Sequence, residues 1–250
     1  MFRAALCLLV LPVGLIGASG VIVLLALVRA PRRFLDAVYT GFGRFCAWIG
    51  GTEIQVEGRE HIDPACAYVV VANHESNWDP VVLLAAISEL SLRFVVKDAL
   101  VRVPVFGRAL TISGNIRVVR NNTAGDVREI RQHMQERPEG VSMIFYAEGG
   151  RAREGEFRRF KRGAFATAIG YQLPILPIAI GGTFAIWKPD SLRVRKGTAV
   201  LSIGKPIPVA GMRYDDRNRL LEETQAAVSE LRNHARQRLR EQGQEPGGRD

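Results

Sequence analysis

A histidine and an aspartate five residues apart, His74 and Asp79, are the first pair that could do chemistry. His74 follows the apolar run 68–72, which predicts a buried strand, and Asp79-Pro80 predicts a helix start with the aspartate as N-cap. A tight return from strand to helix could bring the two side chains together. The aspartate would then fix the tautomer of an imidazole that takes a proton from a hydroxyl. The alternative is a helix cap beside a polar loop histidine.

A second cluster places Gly114 and Arg120 on either side of a predicted strand. The glycine permits close approach of the backbone, and an arginine fork suits a phosphate because it bonds two oxygens at once. The alternative is a solvated arginine at the end of a strand.

The third cluster is Glu148-Gly149-Gly150-Arg151, directly after the apolar run 141–146. Adjacent glycines expose backbone N–H groups that could face an anion. Glu148 could accept a hydrogen bond from a hydroxyl, or it could orient Arg151. The alternative is a β-turn with a solvated ion pair.

A fourth stretch, residues 173–183, is apolar and contains Pro174 and Pro177. Proline cannot donate to a strand ladder, so this stretch predicts a buried strand at the edge of a sheet.

Strands and helices alternate around these clusters, which predicts an α/β domain: a mixed sheet covered by helices. The predicted strands cover residues 52–58, 68–72, 94–96, 116–119, 141–146, 175–180 and 199–203. One predicted helix starts at residue 79, and the others cover residues 100–110, 126–137, 163–171 and 214–241. We expect an N-terminal membrane-associated segment over 1–50, a catalytic domain over 51–242 and a flexible tail over 243–250.

The N-terminal segment contains 25 consecutive uncharged residues between Arg3 and Arg29. A membrane-spanning helix needs about 20, and the arginines that follow the run predict a cytoplasmic domain at the cell membrane. The alternatives are a cleaved signal peptide and a helical hairpin embedded in one leaflet. Residues 35–49 then predict an amphipathic helix that packs on the domain or lies at the bilayer interface.

The charge distribution points to anionic partners. The net charge is +9, and residues 91–162 carry most of the excess, with 15 basic and 8 acidic side chains. A basic middle suits an anionic substrate or membrane surface better than a nucleic acid, for which no binding motif is present. Three scattered cysteines predict neither a disulfide framework nor a zinc site, and they favour a reducing compartment.

Taken together and in this order, the four clusters resemble the glycerolipid acyltransferase family, in particular the 1-acylglycerol-3-phosphate (lysophosphatidate) acyltransferases. The resemblance covers roughly residues 50–210. The family signature is Asn-His-x-Ser-x-x-Asp, then Gly-x-x-x-x-x-Arg, then Phe-Pro-Glu-Gly-Thr-Arg-Ser, then a proline-bearing apolar strand. The resemblance implies that His74 and Asp79 are catalytic. It implies these substrate-binding residues: Asn73, Ser76, Lys97, Gly114, Arg120, Glu148, Gly149, Arg151, Lys161 and Pro174.

The third motif departs from the signature at three positions, where Ala147, Gly150 and Ala152 replace proline, threonine and serine. Two hydroxyl groups are thereby lost near the acceptor, and a hydrogen bond to a charged group contributes about 1.5–3 kcal/mol. The identity of the acceptor is therefore open, with a lyso-aminolipid, glycerol 3-phosphate or another lysophospholipid as alternatives.

The resemblance implies that an acyl group moves from coenzyme A or acyl carrier protein to the free hydroxyl of a lysophospholipid. His74 would be the general base, Asp79 would orient it, and Arg120 and Arg151 would hold the acceptor phosphate. Neither a metal nor a cofactor is implied beyond the thioester co-substrate. A membrane protein that only binds lipid, and a nucleic-acid-binding protein, are the alternatives from other classes.

Overall fold

Seven strands form one mixed sheet in the computed structural model, which describes residues 2–119, 123–152, 156–189 and 191–244. Their order is β1-β7-β6-β2-β5-β3-β4, and all neighbours are parallel except β6 and β7. The predicted fold class is thereby confirmed. The strands are β1 (Thr52–Glu57), β2 (Val69–Ala72), β3 (Ser91–Lys97), β4 (Ile116–Val118), β5 (Val141–Tyr146), β6 (Ile175–Gly181) and β7 (Gly197–Ile203).

Helices cover both faces of this sheet. They are α1 (Phe2–Leu27), α2 (Arg32–Gly50), α3 (Asp79–Ala86), α4 (Asp98–Val101), α5 (Phe106–Ile112), α6 (Thr123–Glu136), α7 (Gly163–Gly170), α8 (Thr183–Ile186) and α9 (Arg217–Glu241). Successive strand residues point to opposite faces, so Val70 packs towards α2 and α3 while Val69 and Val71 pack towards α7 and α9. The apolar, β-branched central strands are buried on both sides for this reason.

The helices α1 and α2 form an antiparallel hairpin. The Cys7 thiol near the start of α1 lies 3.8 Å from the carbonyl oxygen of Ile49, near the end of α2. Residues Leu6–Leu27 of α1 have a mean hydropathy of 2.6 and are long and apolar enough to cross a membrane. The helix α2 packs against α3, where Gly43 lies directly on the α3 backbone. The amphipathic helix predicted over 35–49 therefore packs on the domain.

The predicted helix over 100–110 is interrupted. Val105 has φ +63° and ψ −56°, and the Phe106 N–H donates to the Pro104 carbonyl oxygen at 2.7 Å. This is a γ-turn of the strained kind, and it separates α4 from α5.

The prediction of an edge strand at residues 173–183 was wrong. The strand β6 lies between β7 and β2, in the interior of the sheet. The sheet accommodates Pro177 because pairing with β7 starts only at Ile178, while an isolated bridge joins Ile175 to Ile207. The missing N–H of Pro177 thus falls where the ladder with β7 is interrupted.

The division into an N-terminal segment, a domain and a tail remains a prediction. The helix α9 ends at Glu241, and most of the predicted tail, residues 245–250, lies outside the described residues.

Candidate active site

Three neighbouring parallel strands place the site at one edge of the sheet. The strands β6, β2 and β5 lie side by side, and two residues after each of them comes a polar side chain: Thr183, His74 and Glu148. Parallel strands end at the same edge, and ligands of open α/β sheets bind in the crevice outside their carboxyl ends. The sheet topology therefore brings together residues that are far apart in sequence.

The side chains of His74 and Asp79 meet as the sequence predicted. His74 Nδ1 lies 2.7 Å from Asp79 Oδ2, and Asp79 is fully buried. A carboxylate can only accept, so this contact places the neutral imidazole's proton on Nδ1 and leaves Nε2 as a lone-pair acceptor. Nε2 is the nitrogen that can take a proton from a hydroxyl.

Asp79 does not cap its own helix, which corrects one expectation from the sequence. The helix α3 begins at Asp79 with no side-chain cap, and the carboxylate turns back towards the loop after β2. Its Oδ2 accepts the backbone N–H groups of Glu75 and Ser76 at 2.8 and 2.9 Å, in addition to His74. Its Oδ1 accepts the hydroxyl of Thr183. These donors all stabilise the charged carboxylate in one orientation.

The imidazole of His74 is also held from one face by Tyr146. The ring centroids are 4.0 Å apart and the planes differ by 15°. The Tyr146 hydroxyl is buried without a hydrogen-bond partner among the described residues, and burial together with the nearby Asp79 raises its pKa well above the usual value. The tyrosine is therefore a neutral platform that fixes the plane of the imidazole.

An apolar cavity of about 610 Å³ opens beside His74. Its walls come from the hairpin α1–α2, from α3, from the end of β3 and from α5, and most of its lining is aliphatic or aromatic. The lining includes Leu11, Leu15, Ile22, Phe42, Val81, Leu84, Val95, Phe106 and Leu110. A cavity of this size and composition fits a flexible hydrocarbon chain.

Two residues expected to bind substrate serve the scaffold in this structure. Asn73 is buried, and its side-chain amide exchanges two hydrogen bonds with the main chain of Ile180, at 2.9 and 2.8 Å. Ser76 is fully buried, donates to the Trp187 carbonyl oxygen at 2.6 Å and accepts the Trp78 N–H. Both side chains fix the ends of strands and loops around His74.

Both carboxylate oxygens of Glu148 accept main-chain N–H groups, and Arg151 contacts other partners. Its Oε1 accepts the backbone N–H of His74 at 2.9 Å, and its Oε2 accepts the N–H of Arg158 at 3.0 Å. Arg151 donates instead to Asn77 Oδ1 at 2.9 Å and to the Pro189 carbonyl oxygen at 3.2 Å. Of the two possibilities that the sequence left open for Glu148, orientation of Arg151 is not found in this structure, because the glutamate points inwards from the loop.

Gly149 and Lys161 lie against each other at the surface near Glu148. Gly149 has φ +73°, and a Cβ there would lie 2.4 Å from Lys161 Cε. Glycine thus allows both the left-handed backbone and the passage of the lysine side chain over it. The Lys161 amine is exposed and available to an anion.

The remaining predicted binding residues divide by position. Lys97 ends β3, is exposed and lines the cavity. Gly114 has φ +89° in the turn before β4, at the end of that strand away from His74. Pro174 precedes β6 at the opposite edge of the sheet, so the structure does not bring it to the site. Arg120 lies outside the described residues.

Sequence reasoning missed Thr183, Tyr146 and Glu75. Tyr146 stands where the signature has phenylalanine, and Thr183 closes the fourth apolar stretch, but neither feature alone indicates contact with His74 or Asp79. Glu75 is buried between His74 and α9. Burial and the nearby Asp79 raise its pKa to about 8. Among the described residues, no group of three histidine, cysteine, aspartate or glutamate side chains could hold a metal ion.

The site therefore combines a histidine whose Nε2 can accept a proton with an apolar cavity, at the carboxyl edge of a mixed sheet. The chain belongs to the acyltransferase family, because the family model named Acyltransferase matches residues 53–181, about half of its length. The resemblance seen in the sequence motifs is thereby confirmed.

Several named relatives are similar to this chain. A 1-acyl-sn-glycerol-3-phosphate acyltransferase of Cocos nucifera is 26% identical over 83% of this chain and 67% of its own length. One of Limnanthes douglasii is 31% identical over 61% of this chain and 54% of its own length. The alpha form of Homo sapiens is 30% identical over 68% and 60%. The chain thus spans between about half and two thirds of these relatives.

A solved structure has the same fold. It is the crystal structure of the 1-acyl-sn-glycerophosphate (LPA) acyltransferase PlsC from Thermotoga maritima. The TM-score is 0.76 at 22% identity, over 92% of this chain and 96% of that one.

Proposed function

We propose that this protein transfers a fatty acyl group from a thioester to the free hydroxyl of 1-acylglycerol-3-phosphate, which gives phosphatidic acid. The single observation that carries this proposal is the placement of His74, with Nδ1 fixed by Asp79, beside the apolar cavity. The names of the relatives supply the acceptor, since all three are 1-acyl-sn-glycerol-3-phosphate acyltransferases.

The reaction needs one base and no covalent enzyme intermediate, because a thioester is already activated. His74 Nε2 takes the proton of the acceptor hydroxyl while that oxygen attacks the thioester carbonyl carbon. The tetrahedral intermediate then collapses, the carbon–sulfur bond breaks, and the departing sulfur receives the proton from the imidazolium. Asp79 stabilises the imidazolium between these steps, and general base catalysis of this kind contributes about 10²–10⁴-fold.

The cavity would hold the acyl chain of the donor. Its walls from α1 and α2 are apolar, and the carbonyl carbon of a chain seated there can reach His74 at the sheet edge. The carrier, coenzyme A or acyl carrier protein, would remain at the surface. The pantetheine-bearing donor is anionic, and the basic side chains between residues 91 and 162 suit it.

The acceptor phosphate would contact cations near the third motif. Lys161 is exposed above Gly149, and Arg151 lies in the same loop, although Asn77 and Pro189 already engage its guanidinium. Arg120 remains part of this proposal from the family motif alone.

The protein would act at the cytoplasmic face of the cell membrane. The hairpin α1–α2 is packed on the catalytic domain, and α1 lines the same cavity that lies beside His74. Large apolar side chains on the other face of α1 are exposed, among them Leu9, Val13, Leu24 and Leu27. We therefore favour a hairpin embedded in one leaflet over a helix that leaves the domain to cross the bilayer.

The test is acyl transfer in purified membranes that contain the protein, with acyl-CoA and acyl carrier protein as separate donors and lysophosphatidic acid as acceptor. We expect phosphatidic acid from the unchanged protein and from His133→Ala, a matched histidine on α6 away from the site. We expect none above background from His74→Ala. Equal turnover by His74→Ala would contradict the mechanism, and no turnover by folded, unchanged protein would favour a lipid-binding role.

The assay also includes a lyso-aminolipid as a second acceptor, because Gly150 and Ala152 lack the hydroxyl groups of the signature. Ala152 is buried and its N–H donates to the His74 carbonyl oxygen at 2.7 Å, so this altered loop lies against the catalytic residue. Transfer to a lyso-aminolipid, with none to lysophosphatidic acid, would assign the altered loop to a changed acceptor.

A further inference from the structure

A cluster of ionisable side chains lies between the loop that carries His74 and the helix α9, and it takes no part in the reaction just described. Glu75 and Glu148 come from the loops after β2 and β5, and Arg232 and Arg236 come from α9. Arg232 Nη2 lies 3.7 Å from Glu75 Oε2, and Arg236 Nη2 lies 3.8 Å from the same oxygen. Arg232 is 6% exposed, so its charge is almost wholly removed from water. A buried charge persists only where it is paired, and Arg232 favours the ionised form of both acidic neighbours, although burial and Asp79 still raise the pKa of Glu75.

Arg232 also holds the loop that supports Glu148. Its Nη2 donates to the Glu156 carbonyl oxygen at 2.8 Å, and its guanidinium lies 5.5 Å from the centre of the Phe157 ring. The next residue, Arg158, donates its backbone N–H to Glu148. Glu148 in turn accepts the backbone N–H of His74. A continuous series of contacts therefore runs from α9 to the main chain of the catalytic histidine.

The positive charge of Arg232 also favours the ionised form of Glu148. Burial raises the pKa of Glu148, while the two backbone N–H groups and then Arg232 lower it. Glu148 must be ionised for both oxygens to accept, since a protonated carboxyl group turns one oxygen into a donor. Without the cation, burial would favour the protonated form and one of the two N–H groups would lose its acceptor.

This support comes from outside the part of the chain that the family model matches. That part ends at residue 181, whereas α9 spans Arg217–Glu241. The family motifs thus supply His74, Asp79 and Glu148, and the C-terminal helix supplies the cation that holds two of their loops together.

We propose that Arg232 is a positioning residue, which fixes the main chain of His74 through Glu156, Arg158 and Glu148 and through Glu75. The proposal rests on the proposed function only in naming the reaction that His74 serves. Its first test therefore does not depend on turnover.

That test is amide hydrogen exchange of the full chain in lipid or detergent, for the unchanged protein, Arg232→Met and Arg238→Met. Arg238 is the matched control, because it lies on the same helix but pairs with Glu57 and Glu241. We expect amides of residues 74–79 to exchange about tenfold faster in Arg232→Met, as one or two hydrogen bonds weaken. Strand β2 and β5 amides should be unchanged, as should all amides in Arg238→Met. Faster exchange throughout the protein, or none in the loop, would overturn the proposal.

The second test is the pH profile of kcat/KM, which a loss of folded protein would scale without shifting. The charged and titratable groups around Glu148 are His74, Arg232 and, through Glu75, Asp79 and Arg236. Arg232→Met should shift the acid limb of the profile to higher pH, because it removes a cation that lowers the pKa of Glu148, and a profile that is scaled without a shift would overturn the proposal. Arg232→Lys keeps the positive charge and should show the same pH profile as the unchanged protein.

Glu148→Gln extends both tests if Arg232→Met does not fold. It imitates the protonated carboxyl group, so it should exchange rapidly at residues 74–79 and should not recover at high pH. Normal loop exchange in Glu148→Gln would overturn the proposal. An unchanged protein that is inactive with every donor and acceptor, yet shows the expected exchange, would reject the proposed function and leave the positioning role intact.

Discussion

Replacing Thr183 by valine removes one hydroxyl from the support of Asp79 while conserving shape. Thr183 is fully buried, and its hydroxyl is the only donor that the described residues give to Asp79 Oδ1, since His74, Glu75 and Ser76 all donate to Oδ2. Valine would leave a buried carboxylate oxygen without a partner. The carboxylate would gain by rotating towards other donors, and the imidazole of His74 would lose its fixed orientation.

The magnitude follows from the charge on the acceptor. A hydrogen bond to a charged group contributes about 1.5–3 kcal/mol, and each 1.4 kcal/mol corresponds to about a factor of ten. We therefore expect Thr183→Val to lower kcat/KM by about 10- to 100-fold and the free energy of unfolding by about 2 kcal/mol. Thr183→Ser retains the hydroxyl and should recover most of the activity.

The assay is acyl transfer at fixed donor and varied acceptor, together with denaturant unfolding, and Thr224→Val is the matched control. Thr224 is a fully buried threonine of α9 whose hydroxyl donates to the Leu220 carbonyl oxygen at 2.8 Å, within its own helix. That carbonyl keeps its helical N–H donor when the hydroxyl is removed, so kcat/KM should be unchanged. Unchanged kcat/KM in Thr183→Val, or an equal loss in Thr224→Val, would refute this account of how Asp79 is held.

Three further predictions concern packing, pH and chain length. Gly43→Ala should lower the melting temperature, because its Cβ would lie 2.8 Å from the backbone nitrogen of Ala85, whereas Gly41→Ala meets nothing within 4 Å and should be neutral or stabilising. The raised pKa of Glu75 means that the folded state binds a proton between pH 4.5 and about 8, so the free energy of unfolding falls as pH rises through that range, by up to about 5 kcal/mol. Glu75→Gln should remove this fall, measured as unfolding free energy against pH. Ala109→Phe should fill part of the cavity and shift donor preference to shorter acyl chains, measured by competition between donors, with an unchanged preference counting against the cavity as the chain site.

Local patterns in the sequence predicted most of the fold. The strand β5 was predicted with the observed limits, and β2, β4, β6 and β7 within two residues, because short apolar runs bounded by turns have few alternatives. The strand β3 is longer than predicted because it includes Arg93. That arginine is buried and paired with Asp36 of α2 at 2.8 Å. A pair formed across 57 residues leaves no local pattern, so an arginine there gives no indication of a buried strand.

The motif residues were predicted better by identity than by role. Asn73, Ser76 and Glu148 were expected to bind substrate, but their polar atoms are engaged with the main chain. Asn73 is bonded to Ile180 at the end of β6, Ser76 to Trp187 after α8, and Glu148 to His74 after β2. A motif shows which residues are needed near a site, and it does not distinguish a side chain that binds from one that holds the backbone. Only the hydrogen-bond partners make that distinction, and each of the three side chains has one partner more than 70 residues away.

There is a physical reason why several side chains around His74 hold its main chain and its ring. A histidine base is effective only when its imidazole is held within hydrogen-bond reach of one proton, and His74 stands on a loop rather than on a rigid element. Its main chain is fixed by Glu148, its Nδ1 by Asp79 and its ring plane by Tyr146. These contacts come from the end of β5, from the loop after it and from the start of α3, and none of them uses Nε2. We therefore expect the buried polar residues around His74 to affect the reaction by positioning this histidine.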